Sequence, residues 1–433
     1  MTSQPPARRP NRSRGAHRTG LLRGQGAALT LATGGAVLGW FLPLWEKRLA
    51  APGLSFDAST AQAALGAVAG SMITLAGFIV TAITLVVQTV QAMSPRLVAA
   101  LGRFSRFLAL FGLLIGTALY ALVTLSHIRG DNVPRLSVTL AVALVLLDAI
   151  VVLHLLASLR HAVTGGGLSR AVGECLRATI HQVHPVAAKT SPVPLTAHQG
   201  DTLSITHRGR PAVIASIDEA RITRLADRSH LRIWLTRTVG DSVTTGDVVA
   251  RVEPEAAAVD PLLDRRIAAC LRYGPSRTLE QDTAYGFRLL ADIAIRALSP
   301  GINDPTTAVQ ALDQIEDALL RLTDRTLGPI WLLGQHGTPR VNLPAPQWAD
   351  VVSVALDETL LYGSSSLQTV RRLNALLQRL LATVPAERKP AVAERADALQ
   401  RLATTRLPDP FLHRIAGCSD RQGLGGPSDS AGR

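Results

Sequence analysis

The chain has 433 residues, of which 47% are hydrophobic and only 18% are charged. A soluble domain carries about 25% charged residues, so this composition excludes a protein that is water-exposed along its whole length. The net charge of +13 comes almost entirely from arginine, and aromatic residues make up only 4%. Arginine spread without interleaved aromatic residues disfavours nucleic-acid binding. Three widely spaced cysteines predict neither a disulfide framework nor a pair of metal ligands.

A basic arm and four apolar stretches occupy the first 160 residues. The arm, residues 1–26, is polar and rich in arginine and proline, which predicts disorder and contact with anionic lipid. A membrane-spanning helix needs about 20 apolar residues, so the four stretches predict a transmembrane domain over residues 27–160 that contacts the lipid bilayer. The stretches are residues 27–44, 61–90, 107–128 and 136–159. The first could also be a signal peptide, but its length favours a retained span.

The charges of the loops predict the orientation. The arm carries six arginines, and the loop after the second stretch carries Arg96, Arg103 and Arg106 without an acid. Positively charged loops stay in the cytoplasm. We therefore expect a multi-pass protein of a bacterial inner (plasma) membrane, with both the arm and residues 160–433 in the cytoplasm.

The remaining sequence predicts a mainly α protein with a small β domain in its middle. We expect a helical linker over residues 161–198, a β domain over 199–255, a cytoplasmic helical domain over 256–407 and a disordered tail over 408–433. Alternating apolar residues over His230–Arg237 are typical of a strand.

The β segment resembles half of a biotinyl- or lipoyl-type barrel. Its stretch Val239–Glu253 is similar to the closing hairpin of that fold. No lysine lies between Lys189 and Lys389, so neither group can be attached there. The resemblance therefore implies a barrel-sandwich-like domain with a structural role.

The second apolar stretch has the sharpest pattern in the chain, a stripe of small or polar residues at helical spacing. Its members are Thr60, Ala63, Ala67, Gly70, Thr74, Gly77, Thr81, Thr84, Gln88 and Gln91. In lipid, small residues let helices approach closely, and hydroxyls and amides bond across the contact. The stripe indicates either a tight helix–helix seam within the chain, or a seam about a symmetry axis or water-filled path. The second alternative predicts a homo-oligomer.

Two further membrane features are candidate sites. Gly112 and Gly116 have the GxxxG spacing of a helix-docking face. Asp148 is an intramembrane acid, which is either functional or bonded to a neighbouring helix. His154 and His161 share one helix face, but no third ligand accompanies them, so no metal site is predicted.

The most distinctive string runs from Arg277 to Ala308. Thr278 and Gln281 have the spacing of a capping box that opens a helix. A buried face and a charged stripe follow, and the helix is expected to stop before a turn that leads into the next helix. The residues of this helix–turn–helix motif are Asp292, Arg296, Ser299, Pro300, Gly301, Asn303, Asp304 and Pro305.

These residues also carry a resemblance to a known family. The string Arg277–Ala308, Ser94-Pro95-Arg96 and the four-span plan resemble a bacterial family of predicted integral membrane proteins, catalogued as a domain of unknown function, over about residues 25–405. The resemblance implies a membrane protein with a cytoplasmic C-terminal region and no established activity.

Three functional hypotheses remain open from the sequence. We favour an oligomeric channel or transport-like protein with a cytoplasmic regulatory domain. The alternative is a membrane-anchored scaffold or signalling component. A membrane-anchored enzyme would use an acid cluster around Asp282, Asp292, Asn303 and Asp304, but no nucleophile–base pair or cofactor signature accompanies it. We therefore predict no enzyme, no catalytic residues and no cofactor.

Overall fold

A computed structural model describes residues 6–8, 17–46, 56–93, 104–128, 133–163, 166–186, 191–192, 202–254 and 262–425. The chain forms two compact units. The membrane unit is Arg14–Thr164, and the C-terminal unit combines Met1–Ser13 with Gly165–Arg433.

Four long helices build the membrane unit. They are α1 (His17–Glu46), α2 (Ala58–Met93), α3 (Phe104–Leu125) and α4 (Arg135–Val163). Each contains a segment long and apolar enough to cross a membrane, which confirms the four predicted spans. The most buried of these segments belongs to α3, which packs against the other three helices.

A carboxylate ties the end of α1 to the start of α4. Glu46 accepts hydrogen bonds from the backbone N–H groups of Leu136 (2.6 Å) and Ser137 (3.0 Å). A negative charge at a helix N-terminus is stabilising because the first N–H groups have no partner within the helix. The hydroxyl of Tyr120, in α3, donates to the carbonyl oxygen of Ser137 over 2.8 Å. Polar contacts thus join three helices at one end of the bundle.

The C-terminal unit contains nine described helices and ten described strands. The helices are α5 (Gly167–Val183), α6 (Glu219–Arg228), α7 (Leu263–Ala268), α8 (Thr283–Ala297), α9 (Pro305–Leu322), α10 (Trp348–Gly363), α11 (Leu367–Thr383), α12 (Lys389–Arg406) and α13 (Pro410–Ala416). The strands are β1 (Pro6–Arg8), β2 (Ser191–Pro192), β3 (Leu203–Thr206), β4 (Ala212–Ile217), β5 (Leu231–Leu235), β6 (Ser242–Val243), β7 (Val248–Pro254), β8 (Leu271–Gly274), β9 (Ile330–Leu333) and β10 (Pro339–Leu343).

The strands form two sheets with an apolar core. The larger sheet has the order β2-β1-β9-β10-β5-β7-β3, and the smaller has the order β6-β4-β8. Ile205, Ile214, Ile233, Val252 and Ile267 are among the fully buried side chains of the core. The mainly α fold class with a small sheet region in its middle is confirmed. Neither sheet closes into a barrel among the described strands.

The β region differs from its prediction in extent and pairing. Strands β8, β9 and β10 come from the segment 256–407, which we expected to be helical. The expected closing hairpin is not formed either, because β6 pairs with β4 while β7 pairs with β3 and β5. The two halves of Val239–Glu253 therefore belong to different sheets.

Parts of the two segments expected to be disordered have defined structure. Strand β1, in the arm, pairs in parallel with β9, and α1 begins at His17. In the tail, α13 is followed by a turn in which the Asp420 carboxylate accepts backbone N–H groups of Gln422, Gly423 and Gly425. A carboxylate that accepts hydrogen bonds from three backbone N–H groups stabilises a turn. Such a turn needs no periodic pattern of apolar residues, so no sign of it was visible in the sequence. The rest of the arm before His17 and residues 426–433 lie outside the described residues.

The Asp227 carboxylate links α6 to β10 and to the turn before it, and it makes stability depend on pH. Asp227 accepts hydrogen bonds from the Gln335 N–H (3.1 Å) and from Arg340 Nε (3.0 Å). The Gln335 hydrogen bond and the Arg340 guanidinium hold the pKa of Asp227 below its ordinary value of 3.8. Stability from this carboxylate is therefore present above about pH 4 and is lost as the pH falls through the lowered pKa.

We expect Asp227→Asn to lower the free energy of unfolding by about 1–3 kcal/mol at pH 7, because the amide presents a donor where the carboxylate accepts. The deficit should shrink as the pH falls below about 4 and through the lowered pKa of the native carboxyl, since protonation removes the charge that Asn lacks at any pH. Thermal unfolding of the purified protein across this pH range measures it. Asp264→Asn is the control, since Asp264 pairs with an exposed Arg208 over 2.8 Å. A deficit that is independent of pH would contradict the linkage.

Candidate functional site

The stripe of small and polar residues lies on the outer surface of α2. Every member from Thr60 to Gln88 is exposed in the single chain, and the side chain of Gln91 lies outside the described part. The face that α2 packs against the bundle consists of Ala61, Leu65, Ala69, Met72, Ala76 and Ile79. At 100° per residue, that packed face is on the opposite side of the helix from the stripe. The stripe therefore forms no seam with the described helices of the membrane unit.

The glycines of the stripe have open space beside them. A Cβ added at Gly70 or Gly77 would meet no atom within 4 Å. Large apolar side chains flank the stripe, and Ile73, Phe78 and Val80 are all exposed. The outer surface of α2 thus consists of a narrow small-residue band, here called the α2 face, between two apolar borders. The members of the α2 face are Gly70, Thr74, Gly77, Thr81, Thr84 and Gln88.

The threonines of the α2 face satisfy their hydroxyl groups within the helix. Thr74 donates to the carbonyl oxygen of Gly70 (2.8 Å), Thr81 to that of Gly77 (3.2 Å), and Thr84 to that of Val80 (2.9 Å). Bonding of this kind leaves each hydroxyl oxygen with spare acceptor capacity. These three threonines can therefore pack against another helix or accept hydrogen bonds without leaving an unpaired hydroxyl donor.

The tight seam inside the bundle joins α1 and α3 instead. A Cβ added at Gly35 would lie 2.0 Å from the carbonyl oxygen of Gly116, and one added at Gly112 would lie 2.4 Å from the Cα of Ala28. Such separations leave room for hydrogen but for no side chain. The docking face predicted at Gly112 and Gly116 is confirmed, and its partner is the first span.

Asp148 lies inside the helix bundle rather than on the α2 face. Its side chain is 0% exposed, and neither carboxylate oxygen has a hydrogen-bond partner among the described residues. The buried hydroxyl of Thr117, in α3, is the polar neighbour of this carboxylate, although the two groups do not reach hydrogen-bond geometry. An unpaired acid in a helix bundle is a functional candidate. Because Asp148 is enclosed and the α2 face is exposed, the two candidates do not form one site in the single chain.

The helix–turn–helix motif occurs as predicted between α8 and α9. Helix α8 ends at Ala297, before Ser299-Pro300-Gly301, and Asp304 caps α9 by accepting the Thr307 N–H over 3.0 Å. Asn303 has a φ of 47° and donates its N–H to the Ser299 carbonyl oxygen over 2.8 Å. Arg296 is exposed, whereas Asp292 accepts a 2.6 Å hydrogen bond from Arg288 Nε. Arg288 also donates a hydrogen bond to Glu358 of α10. The charged residues of α8 therefore contact α10.

The predicted capping box at Thr278 and Gln281 is wrong. Helix α8 begins later, and Asp282 caps it by accepting the Tyr285 N–H over 2.9 Å. Gln281 instead binds both backbone groups of Ile217, at the end of β4, and Thr278 donates to the Ala215 carbonyl oxygen. Asp is a preferred N-cap residue, so Asp282 alone predicts a helix that begins at Thr283. The spacing of Thr278 and Gln281 pointed to an earlier start.

The acid cluster weighed for catalysis is not assembled. Asp282 precedes α8 and Asp304 follows it, and a helix of 15 residues separates them by about 22 Å. Asp292 is paired with Arg288 between them. Within the described parts of the chain, no three His, Cys, Asp or Glu side chains come together as a metal site.

Comparison with known proteins identifies the family. Residues 27–379 match the family described as Predicted membrane protein (DUF2254). The chain belongs to this family. Its match includes most of α1, the whole of α2, α3 and α4, and strands β2 to β10 and the helix–turn–helix motif of the C-terminal unit.

The curated relatives carry no assigned activity. An uncharacterized protein of Mycobacterium bovis (Mb1321c) and one of Mycobacterium tuberculosis (Rv1290c) are each 28% identical over 293 residues. The match covers 65% of this chain and 55% of each relative, so the chain spans about half the length of these proteins. No solved structure matches.

Proposed function

We propose that this protein is an oligomeric channel or transport-like protein, in which the α2 faces of several copies surround a common axis. The single observation that carries the proposal is the exposure of the small-residue band on the outside of α2. Helix surfaces that meet lipid need no small or polar residues, whereas helix–helix contacts in membranes are enriched in them.

A second copy of this chain is the occupant that fits the α2 face best. The spans that contact α2, namely α3 and α4, lie on its opposite side, so no membrane-spanning helix among the described residues covers the α2 face. Closed symmetric assemblies of identical chains are the commonest oligomers. Copies that meet through glycine and threonine would place Gln88 and its neighbours at one end of the shared axis.

The C-terminal unit would lie in the cytoplasm and regulate the membrane unit. The arginine-rich loop after α2 supports this orientation. The pairing of β1 with β9 supports it too, because a strand that precedes α1 can join the C-terminal unit only on the same side of the membrane. Four spans return the chain to the side on which it started, so they place β1 and the C-terminal unit on the same side. Contact of the basic arm with anionic lipid remains a prediction.

The second candidate is a membrane-anchored scaffold or signalling component without transport activity. The observation that favours it is the bonding of the Thr74, Thr81 and Thr84 hydroxyls to their own helix. Hydroxyls satisfied in this way are compatible with a dry helix–helix contact that contains no path for solutes.

Solute flux through proteoliposomes distinguishes the two candidates. We expect vesicles with the native protein to recover their volume faster than empty vesicles after an osmotic step with KCl, potassium glutamate or glycerol. Gly77→Leu should reduce that flux, because a large side chain would project from the α2 face towards the axis. Phe78→Leu, on the apolar border, should leave it unchanged. A Gly77→Leu variant with native assembly and native flux would contradict a path along the α2 face.

A further inference from the structure

A cavity of about 380 Å³ lies in the C-terminal unit, where the N-terminus of α8 meets the segments that follow β5 and β10. Small-molecule sites in proteins begin at about this size. The walls are mainly apolar and include Val183, Ile217, Val239, Ile330 and Leu343. Apolar walls favour a ligand with a hydrocarbon body, because its burial removes that surface from water.

One arginine presents unused donors at this cavity. Arg277 Nε donates to the Gly240 carbonyl oxygen over 2.8 Å and lies 3.5 Å from Asp282 Oδ2. The two terminal amino groups of the guanidinium have no acceptor among the described residues, and the side chain is 40% exposed. Arg277 is therefore held along one edge while its other edge remains available.

Gly240 allows this arrangement. Its φ is +95°, and a Cβ there would lie 2.3 Å from Asp282 Oδ2 and 2.9 Å from Arg277 Nε. The Asp282 side chain is 4% exposed, and its Oδ2 accepts no hydrogen bond from the described residues. Burial raises the pKa of Asp282 above its ordinary value of 3.8, although the Tyr285 N–H and Arg277 oppose that rise.

The start of α8 adds backbone donors. The Asp282 carboxylate accepts a hydrogen bond from the N–H of Tyr285. The N–H groups of Thr283 and Ala284 have no acceptor among the described residues. Both residues line the cavity. Unpaired N–H groups at a helix N-terminus, together with the helix dipole, favour a negative group. Two further acids, Glu219 and Asp350, also line the cavity, and their negative charge opposes any anion there, a multiply charged one most strongly.

We propose that this cavity binds a small organic carboxylate with an apolar body, whose singly charged head accepts hydrogen bonds from Arg277 and from the N-terminus of α8. A planar carboxylate matches the two parallel donors of a guanidinium edge. Binding does not depend on the α2 face, since every residue of the cavity belongs to the C-terminal unit.

Ligand-observed saturation-transfer NMR on the full-length protein in detergent tests the site with three probes of similar shape. The probes are 4-methylpentanoate, its uncharged amide and the cation 3-methylbutylamine. We expect the carboxylate to bind at least about tenfold more tightly than the amide, because one charged hydrogen-bonding partner is worth that factor. The Arg277→Gln variant should lose this preference.

Two further variants make every outcome decisive. Ala284→Leu places a larger side chain in the cavity at the start of α8 and should abolish specific binding. Any signal that this variant retains comes from partition of the probe into the detergent. Arg272→Gln removes an arginine that pairs with Glu280 outside the cavity lining, and should bind normally. The thermal unfolding midpoint verifies that each variant is folded. No binding by the native protein up to about 10 mM, equal binding of the amide or the amine, or full binding by either cavity variant would overturn the proposal.

Discussion

Replacing Arg372 by alanine is expected to lower the free energy of unfolding of the C-terminal unit by about 3–5 kcal/mol. Arg372, in α11, is only 5% exposed and bonds Asp313 through Nε over 2.8 Å. It also pairs with Glu316 of α9, whose side chain is 8% exposed. Alanine would leave the Glu316 carboxylate buried with only the longer contact to Arg379, at 3.3 Å. An uncompensated buried charge is what makes the cost large.

The thermal unfolding midpoint of the purified protein measures this effect. Arg321→Ala is the matched control, because Arg321 pairs with Asp317 on the surface of α9, the helix that carries Glu316. This substitution should lower the free energy of unfolding by less than about 1 kcal/mol. The double variant Arg372→Met with Glu316→Leu removes both charges and should recover most of the loss. Equal midpoints for Arg372→Ala and Arg321→Ala would show that the buried pair contributes no more than a surface pair.

Gly35→Leu is expected to destabilise the membrane unit by about 3 kcal/mol or more, at the upper end of what overpacking costs. A side chain at this position would run into the backbone of Gly116, which cannot move aside as a flexible side chain can. Loss of the α1–α3 contact should lower the unfolding midpoint in detergent and the yield of monodisperse protein.

The neighbouring glycine supplies the control for that experiment. A Cβ at Gly34 would meet no atom within 4 Å, so Gly34→Leu should leave the free energy of unfolding within about 0.5 kcal/mol of the native value. Similar losses in both variants would contradict a close contact that is specific to Gly35 and Gly116.

The features that the sequence predicted correctly depend on residues that are close together in the chain or repeat at helical spacing. The four spans follow from runs of apolar residues, and the start of α9 follows from Asp304 before Pro305, because a cap depends on neighbours within one helical turn. The seam at Gly112 and Gly116 was also visible, since GxxxG spacing places both glycines on one helix face. The identity of its partner helix required the structure.

Contacts between distant segments account for what the sequence did not predict. Strands β9 and β10 lie between long helices, and their pairing with β1 and β5 depends on residues up to several hundred positions away. The Asp420 turn has no periodic pattern. The donors around the cavity come from Arg277 and the start of α8, and Gly240, whose carbonyl oxygen accepts from Arg277 Nε, lies far from both in the sequence. The stripe on α2 was visible in the sequence, but its exposure became clear only when the packed face was known.

The central claim, that the α2 face meets a second copy, is tested most directly by the native mass of the purified protein in detergent and in nanodiscs. We expect a defined oligomer for the native chain and for Phe78→Leu/Val80→Leu, which changes only the apolar borders. Gly77→Leu/Thr81→Leu should lose that oligomer while each copy keeps its fold, because both positions are exposed in the single chain. A native protein that is monomeric in both environments, or an oligomer unaffected by Gly77→Leu/Thr81→Leu, would contradict the claim.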